Sequence, residues 1–273
     1  HMKMLKLNSL TRATIRAYSI TKQLPTKPII KSKCTILSKT EKTPIWPCLN
    51  IDSITIETGR PCNTPMIRSF LNDNYWPREP TVLGFMVDLD SPYLEILTEK
   101  YTHSGDRFIA FERLYGTEKK TVGLCVGNKV YPGLIDELEE WAHCTSNKAD
   151  RNRMYFRAHC LKSPRLFEKY DVEYIYDIEI LGTSPDIASY DVGVRLLQTA
   201  FEQARLAGIP LVTVVSASMY TSRIAEKCGM KLEWQMEYRD FVDRYGQPVF
   251  FPRGPLKFVS LYVKYFYTKN CVL

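Results

Sequence analysis

Histidine is scarce in this 273-residue sequence, with four in all, and none of its eight cysteines (Cys34, Cys48, Cys62, Cys125, Cys144, Cys160, Cys228, Cys271) belongs to a CxxC pair. Neither residue type falls into a metal-ligand spacing, so no metal site is expected. Scattered cysteines of this kind read as reduced thiols of a reducing compartment. Cys271 is third from the last residue, whereas the prenylation signal needs its cysteine fourth. Runs of 18 uncharged apolar residues are also missing, so no membrane-spanning helix is expected. The 45% hydrophobic content is still enough to build a packed core in one large domain or two small ones.

Acidic residues are absent from positions 1–40, which hold nine basic ones: Lys3, Lys6, Arg12, Arg16, Lys22, Lys27, Lys31, Lys33 and Lys39. The other 28 basic residues face 30 acidic ones, so the net charge of +7 belongs to this amino-terminal tail. A body this close to neutral gives no reason to expect nucleic acid as a partner. Residues 4–19 are rich in Arg, Ser and Thr and can form a basic amphipathic helix, the composition of a mitochondrial transit peptide. Arg16-Ala-Tyr-Ser19 resembles the cleavage site of such peptides. A basic arm on a cytoplasmic protein has the same composition, and both readings stand. Residues 20–49, with Pro25, Pro28, Pro44 and Pro47, read as linker. The expected organisation is a tail and linker over 1–49, then a single domain over 50–273.

The body alternates strands and helices. Ile51–Glu57 alternates apolar and polar residues as a strand does. Asn63-Thr-Pro opens a helix with Met66, Ile67, Phe70 and Leu71 on one face, and Ser91-Pro92 opens a second with Leu94, Leu97 and Tyr101. Arg107–Leu114 and Thr121–Val126 read as a hairpin, residues 132–160 as polar helix, and residues 174–181 as strand. A helix over 193–207 ends at Gly208, and the continuous apolar run Leu211–Val215 reads as a buried strand. A short helix over Met219–Lys227 and strands over Lys231–Phe241 and Lys257–Tyr265 complete a mixed α/β sheet domain.

Glycine is sparse where it would say most. Between the strand and the helix stands "TSPDIASYDVGVRLL", which has the outline of a phosphate-cradling turn but holds one glycine, Gly193. Further stretches carry a family resemblance. Phe70-Leu-Asn-Asp-Asn-Tyr-Trp-Pro-Arg-Glu-Pro80 is similar to an early "FL…F…EPL" segment. Ser216-Ala-Ser-Met-Tyr-Thr-Ser-Arg-Ile-Ala-Glu-Lys-Cys-Gly-Met230 is similar to a carboxy-terminal "S.YS.R..EKLGF" region. With Tyr174–Leu197 between them, these resemble the GNAT acyltransferase superfamily and, within it, the insect arylalkylamine N-acetyltransferases. The resemblance spans about residues 50–266. It implies the GNAT fold, a mixed, mostly antiparallel sheet flanked by helices, with acetyl-CoA as co-substrate and a small amine, aromatic amines included, as acceptor.

Acetyl transfer by direct attack needs a neutral amine, hence a base, together with donors for the oxyanion and a proton for the leaving thiolate. The resemblance implies Glu79 as the base. The neighbouring Tyr75, Trp76 and Pro80 are suited to desolvating its carboxylate; a surface glutamate paired with Arg78 is the plainer alternative. It further implies hydroxyl roles for Ser218 and Thr221, with Ala217 where a serine is common. Tyr220 is implied as thiolate proton donor, a core tyrosine being the plainer reading. Acetyl-CoA contacts fall on Ile180 and Leu181 and on the loop Ser189, Tyr190, Asp191, Val192, Gly193 and Val194. The family pattern Arg/Gln-x-x-Gly-x-Gly/Ala is met here by Ala188-Ser-Tyr-Asp-Val-Gly193, of which only the last position fits. Asp191 replaces a glycine and brings negative charge toward phosphate, a repulsion on the order of a few kcal/mol at surface-like screening. Capping the helix from Asp191 would fill the anion site itself. A degenerate cofactor loop therefore leaves a second reading open, a catalytically impaired GNAT-fold protein acting through protein partners. A third is acyl transfer to protein or RNA.

Overall fold

The computed structural model describes residues 53–113, 118–187, 190–253 and 257–266, with Tyr190 described by its main chain alone. The described elements belong to one compact unit, Pro47–Leu273. The basic tail, the whole of the expected linker, Ala188 and Ser189 lie outside the described residues.

Seven strands form one sheet: β1 (Ile54–Thr58), β2 (Asp106–Arg113), β3 (Lys119–Val130), β4 (Ile175–Thr183), β5 (Leu211–Ser216), β6 (Lys231–Glu237) and β7 (Phe258–Tyr265). Their order is β1-β2-β3-β4-β5-β7-β6, and every pairing is antiparallel except β4 with β5. The crossover between that parallel pair is helix α7 (Tyr190–Leu206), as a parallel connection requires. The α/β class and the mostly antiparallel sheet flanked by helices expected from the sequence are the observed architecture.

Strand alternation divides the apolar side chains between two faces. On one face Phe108, Ala110, Cys125, Tyr176, Ile178, Val212 and Val214 pack against α7, whose Val192, Leu196, Leu197, Ala200 and Ala204 form its buried stripe, and against α8 (Met219–Lys227). On the other face Ile109, Phe111, Leu124, Val126 and Ile180 are covered by α1 (Thr64–Phe70), α2 (Pro80–Gly84), α3 (Pro92–His103), α4 (Gly133–Cys144) and α5 (Lys148–Lys162). A short helix, α6 (Leu166–Lys169), leads into β4. Gly193 is where α7 meets α8, since a Cβ there would stand 2.4 Å from Ile224 Cδ1. The two helices thus approach each other closely at this glycine.

Several boundaries differ from the sequence reading, each for a local reason. Helix α7 starts at Tyr190 rather than 193, so Asp191 lies in its first turn instead of before it. The helical stretch 132–160 breaks at residues 145–147, where Asn147 Oδ1 accepts from Ala149 N (2.9 Å) and Asp150 N (3.1 Å) and caps α5. The strand expected over Lys231–Phe241 stops at Glu237. There Tyr238 turns into the core, its ring stacked on Phe250 with centroids 4.0 Å apart and its hydroxyl donating to Ala217 O.

Leu196 is fully buried and reaches the sheet at Gly123, where a Cβ would lie 3.0 Å from its Cδ1. Leu196→Ala should lower unfolding free energy by about 2–5 kcal/mol, read as a lower urea midpoint with an unchanged m-value.

Candidate active site

Strands β4 and β5 pair only over Tyr176–Ile178 and Val212–Val214, although both continue beyond these residues. Beyond Ile178 and Val214 they separate. The strand edges facing the opening have no ladder partner across it, which leaves main-chain polar groups for another ligand. Next to the point of separation, Gly127 pairs with Ile178 and Val126 with Ile180, so Glu179 is an extra residue, a β-bulge. The bulge places Ile178 on the α7 face and Ile180 on the opposite face, which alternation alone would not do.

The opening is a cleft of about 360 Å³ lined by both strands and by the segment between α1 and α2. Glu79, Ser218, Tyr220 and Thr221, which lie far apart in sequence, all line it, as do Leu181, Tyr75 and Arg78. Ile180 is fully buried in the core and is not among the residues that line the cleft.

Glu79 is the N-cap of α2, and its Oε2 accepts from Val82 N (2.7 Å) and Thr81 Oγ1 (2.5 Å). Arg153 Nη2 stands 3.7 Å from the same oxygen, with the two side chains 14% and 10% exposed. These partners converge on Oε2, leaving Oε1 as the oxygen with capacity for a water or a substrate. Arg78, the alternative partner considered for Glu79, instead donates to Asn74 O (2.6 Å) and Thr183 O (2.7 Å). Arg153 is held by Thr81 Oγ1 (2.9 Å) and the Tyr93 hydroxyl (3.0 Å) and lies over the Trp76 and Tyr93 rings. Burial alone would lower its pKa, but Tyr93 and Glu79 outweigh that and keep the guanidinium charged. The Tyr75 phenol is pushed up by burial and then by the Glu79 charge. Tyr75 lies on β4 at Gly182, where a Cβ would come within 2.8 Å of its ring, so this approach also requires glycine.

One turn along α5 from Arg153, Arg157 pairs with Asp177 on β4, whose other oxygen accepts from Thr213 Oγ1 (2.6 Å). Glu179, 4% exposed, takes Lys100 Nζ on both oxygens at 3.0 and 2.8 Å. Burial pushes the Glu179 carboxyl up, yet Lys100 and Arg157 together leave it below the usual carboxylate range. Sequence reasoning missed Arg153, Arg157, Lys100 and Glu179. A signal was present: Asp177 and Glu179 interrupt an otherwise apolar strand, and buried acids need partners.

The hydroxyl groups divide into two sets. Ser218 Oγ caps α8 by accepting from Thr221 N (3.0 Å) and contacts Thr221 Oγ1 (3.0 Å), so this pair is engaged in holding the helix start. The Tyr220 hydroxyl lies 3.0 Å from Thr183 Oγ1 on β4, bridging the cleft's two walls. In α7, Val192 and Val194 are core residues, and the Val194 N–H falls within the helical ladder. The main-chain donors at this end are thus those of residues 190–192, within the loop Ser189–Val194 read from sequence but short of its end. Asp191 accepts from Lys227 Nζ on α8, with both side chains about half exposed. A lysine thus stands beside the negative charge that the sequence reading set against phosphate.

The fold has solved counterparts. The chain superposes on a mosquito arylalkylamine N-acetyltransferase-like 5b with a TM-score of 0.72 at 22% identity, over 78% of this chain and 100% of that one. The fold is that of the GNAT N-acetyltransferases. The Drosophila melanogaster polyamine N-acetyltransferase, which forms N-acetylagmatine, gives a TM-score of 0.69 at 21% identity over 78% and 100% of the two chains. Arylalkylamine N-acetyltransferase 2 from Aedes aegypti gives 0.71 at 16% identity over 78% and 99%. No protein-family model matches the sequence. Among the described residues no cluster of His, Cys, Asp or Glu is suited to a metal, and no helix is long and apolar enough to cross a membrane.

The Glu179 ion pairs set a pH limit on the fold. A carboxyl with a depressed folded pKa stabilises the protein fully above its unfolded value, about 4.5, and loses that contribution as pH falls through the folded value. Glu179→Gln should therefore lower the thermal midpoint at neutral pH and flatten its decline below about pH 4.5, read as the midpoint against pH for both proteins.

Proposed function

We propose that the protein transfers acetyl from acetyl-CoA to a small amine by direct attack. The observation that carries this reading is the convergence of Glu79 and Tyr220 on opposite walls of the opening between β4 and β5. The site suits the co-substrate: unpaired strand edges, a cleft of fitting size, and a helix start whose first amides lack intrahelical partners. Acetyl-CoA supplies the activated thioester carbonyl.

In this reading Glu79 Oε1 takes the amine's proton, directly or through one water, while Arg153 and the α2 amide hold Oε2 and fix the carboxylate's direction. Main-chain N–H groups around Ile180 and Leu181, beside the bulge, face the developing oxyanion. Tyr220, steadied by Thr183, delivers a proton to the leaving sulfur. Ser218 and Thr221 support Tyr220 by fixing the start of α8. The amides of residues 190–192, with Ser189 before them, and the lysine beside Asp191 offer the anion site at α7. The fold relatives named above act on arylalkylamines and polyamines, which supports an amine acceptor. For the tail, we infer import into mitochondria from its acid-free basic composition.

Acetyl-CoA should raise the thermal midpoint by several degrees at millimolar concentration. No shift would remove the enzymatic reading in favour of a GNAT-fold partner protein. Glu79→Gln should lower kcat by about 10²–10⁴ and leave acetyl-CoA affinity within twofold by calorimetry; unchanged turnover would strip Glu79 of the role. Residues 2–30 fused to a fluorescent reporter should direct it to mitochondria, and a cytosolic signal would refute the inferred address.

A further inference from the structure

A second, smaller recess of about 110 Å³ opens beside the cleft and shares Arg78 and Pro80 with it. Its other walls are Leu83, Phe250, Pro252 and Arg253. Its apolar part is rigid. Phe250 is buried, stacks on Tyr238, and sits where Gly84 leaves room, a Cβ there falling 2.3 Å from its ring. Phe251 N donates to Gly84 O at 2.8 Å and ties the segment to α2.

The charges around the recess are of one sign. Arg78 commits two N–H groups to the carbonyls of Asn74 and Thr183, leaving three of its five donors unspent. Among the described residues neither Arg78 nor Arg253 has a carboxylate in ion-pair contact. The nearby Asp186 is paired with Lys120 at 3.0 Å. By contrast, the two acids lining the cleft are already answered, Glu79 by Arg153 and Glu179 by Lys100 and Arg157. The site therefore offers no spare carboxylate to the second ammonium of a diamine. It offers two guanidinium groups beside an apolar wall, an arrangement that fits a planar carboxylate on an apolar stem.

Building on the acetyltransferase reading, we propose that the recess is the acceptor's carboxylate subsite, and that the preferred acceptors are amines that also carry a carboxylate, of the amino-acid class. The amine would lie at Glu79 and the acid at Arg78 and Arg253, which flank the shared wall at Pro80. The recess contacts no residue of β4, α7 or β5, so it lies away from the anion site assigned to acetyl-CoA.

The test uses the full chain with two probes that share a phenethyl stem and carry opposite charge, 3-phenylpropionate and phenethylammonium, titrated by calorimetry without acetyl-CoA. Phenylpropionate should bind at least tenfold more tightly than phenethylammonium. Arg253→Glu should weaken phenylpropionate at least tenfold and leave acetyl-CoA affinity within twofold, with Arg253→Met giving a smaller loss in the same direction. Tighter phenethylammonium binding, or phenylpropionate affinity unchanged in both variants, would overturn the subsite. A tenfold loss of acetyl-CoA affinity in Arg253→Glu would overturn it differently, by assigning the guanidinium groups to the phosphates of CoA. Failure of acetyl-CoA itself to bind the unsubstituted protein would sink the enzymatic reading alone, since the ratio of the two probes is read without it.

Discussion

The separation of β4 from β5 is the constraint on which the rest of this molecule depends. Six residues pair in register and then the ladder stops, although both strands run on. In a sheet interior such a gap would strand main-chain donors and acceptors without partners. The protein turns the gap into a cleft. Glu79, Tyr220 and the bulge at Glu179 lie along its borders.

Those borders carry buried charge. Asp177 and Glu179 lie on β4 where it leaves β5, buried in otherwise apolar surroundings, and each would be costly alone. Lys100 from α3 and Arg157 from α5 answer them, and Arg153, one helical turn from Arg157, does the same for Glu79. One helix face thus carries two guanidinium groups four residues apart, which tie the opening of the sheet and the candidate base to one rigid element. The helical region 132–170, which gave no functional signal in the sequence, is the scaffold of the site.

The hydroxyl residues show how similar types serve different ends. Ser218 and Thr221 satisfy the start of α8, a local duty that any cap must perform. Tyr220 crosses to Thr183 on the facing strand and so joins the two walls. Gly193 likewise stands where α7 packs on Ile224 of α8.

The sequence determined the elements. The apolar periodicities, the Ser91-Pro92 and Asn63-Thr-Pro helix starts and the β-branched run Leu211–Val215 all rest on interactions within a few residues, and local rules read such interactions directly. The resemblance carried by Phe70–Pro80 and Ser216–Met230 named the fold and singled out Glu79 and Tyr220. Only the tertiary structure decided that β4 and β5 part, that Glu179 is a bulge, and that Arg153 rather than Arg78 partners Glu79. It alone placed Lys227 beside Asp191 and Arg253 beside Arg78. The physical reason is the same in each case. These are pairings between residues 36 to more than 170 positions apart, chosen by which faces the sheet and helices present to one another, and sequence spacing carries no record of that choice.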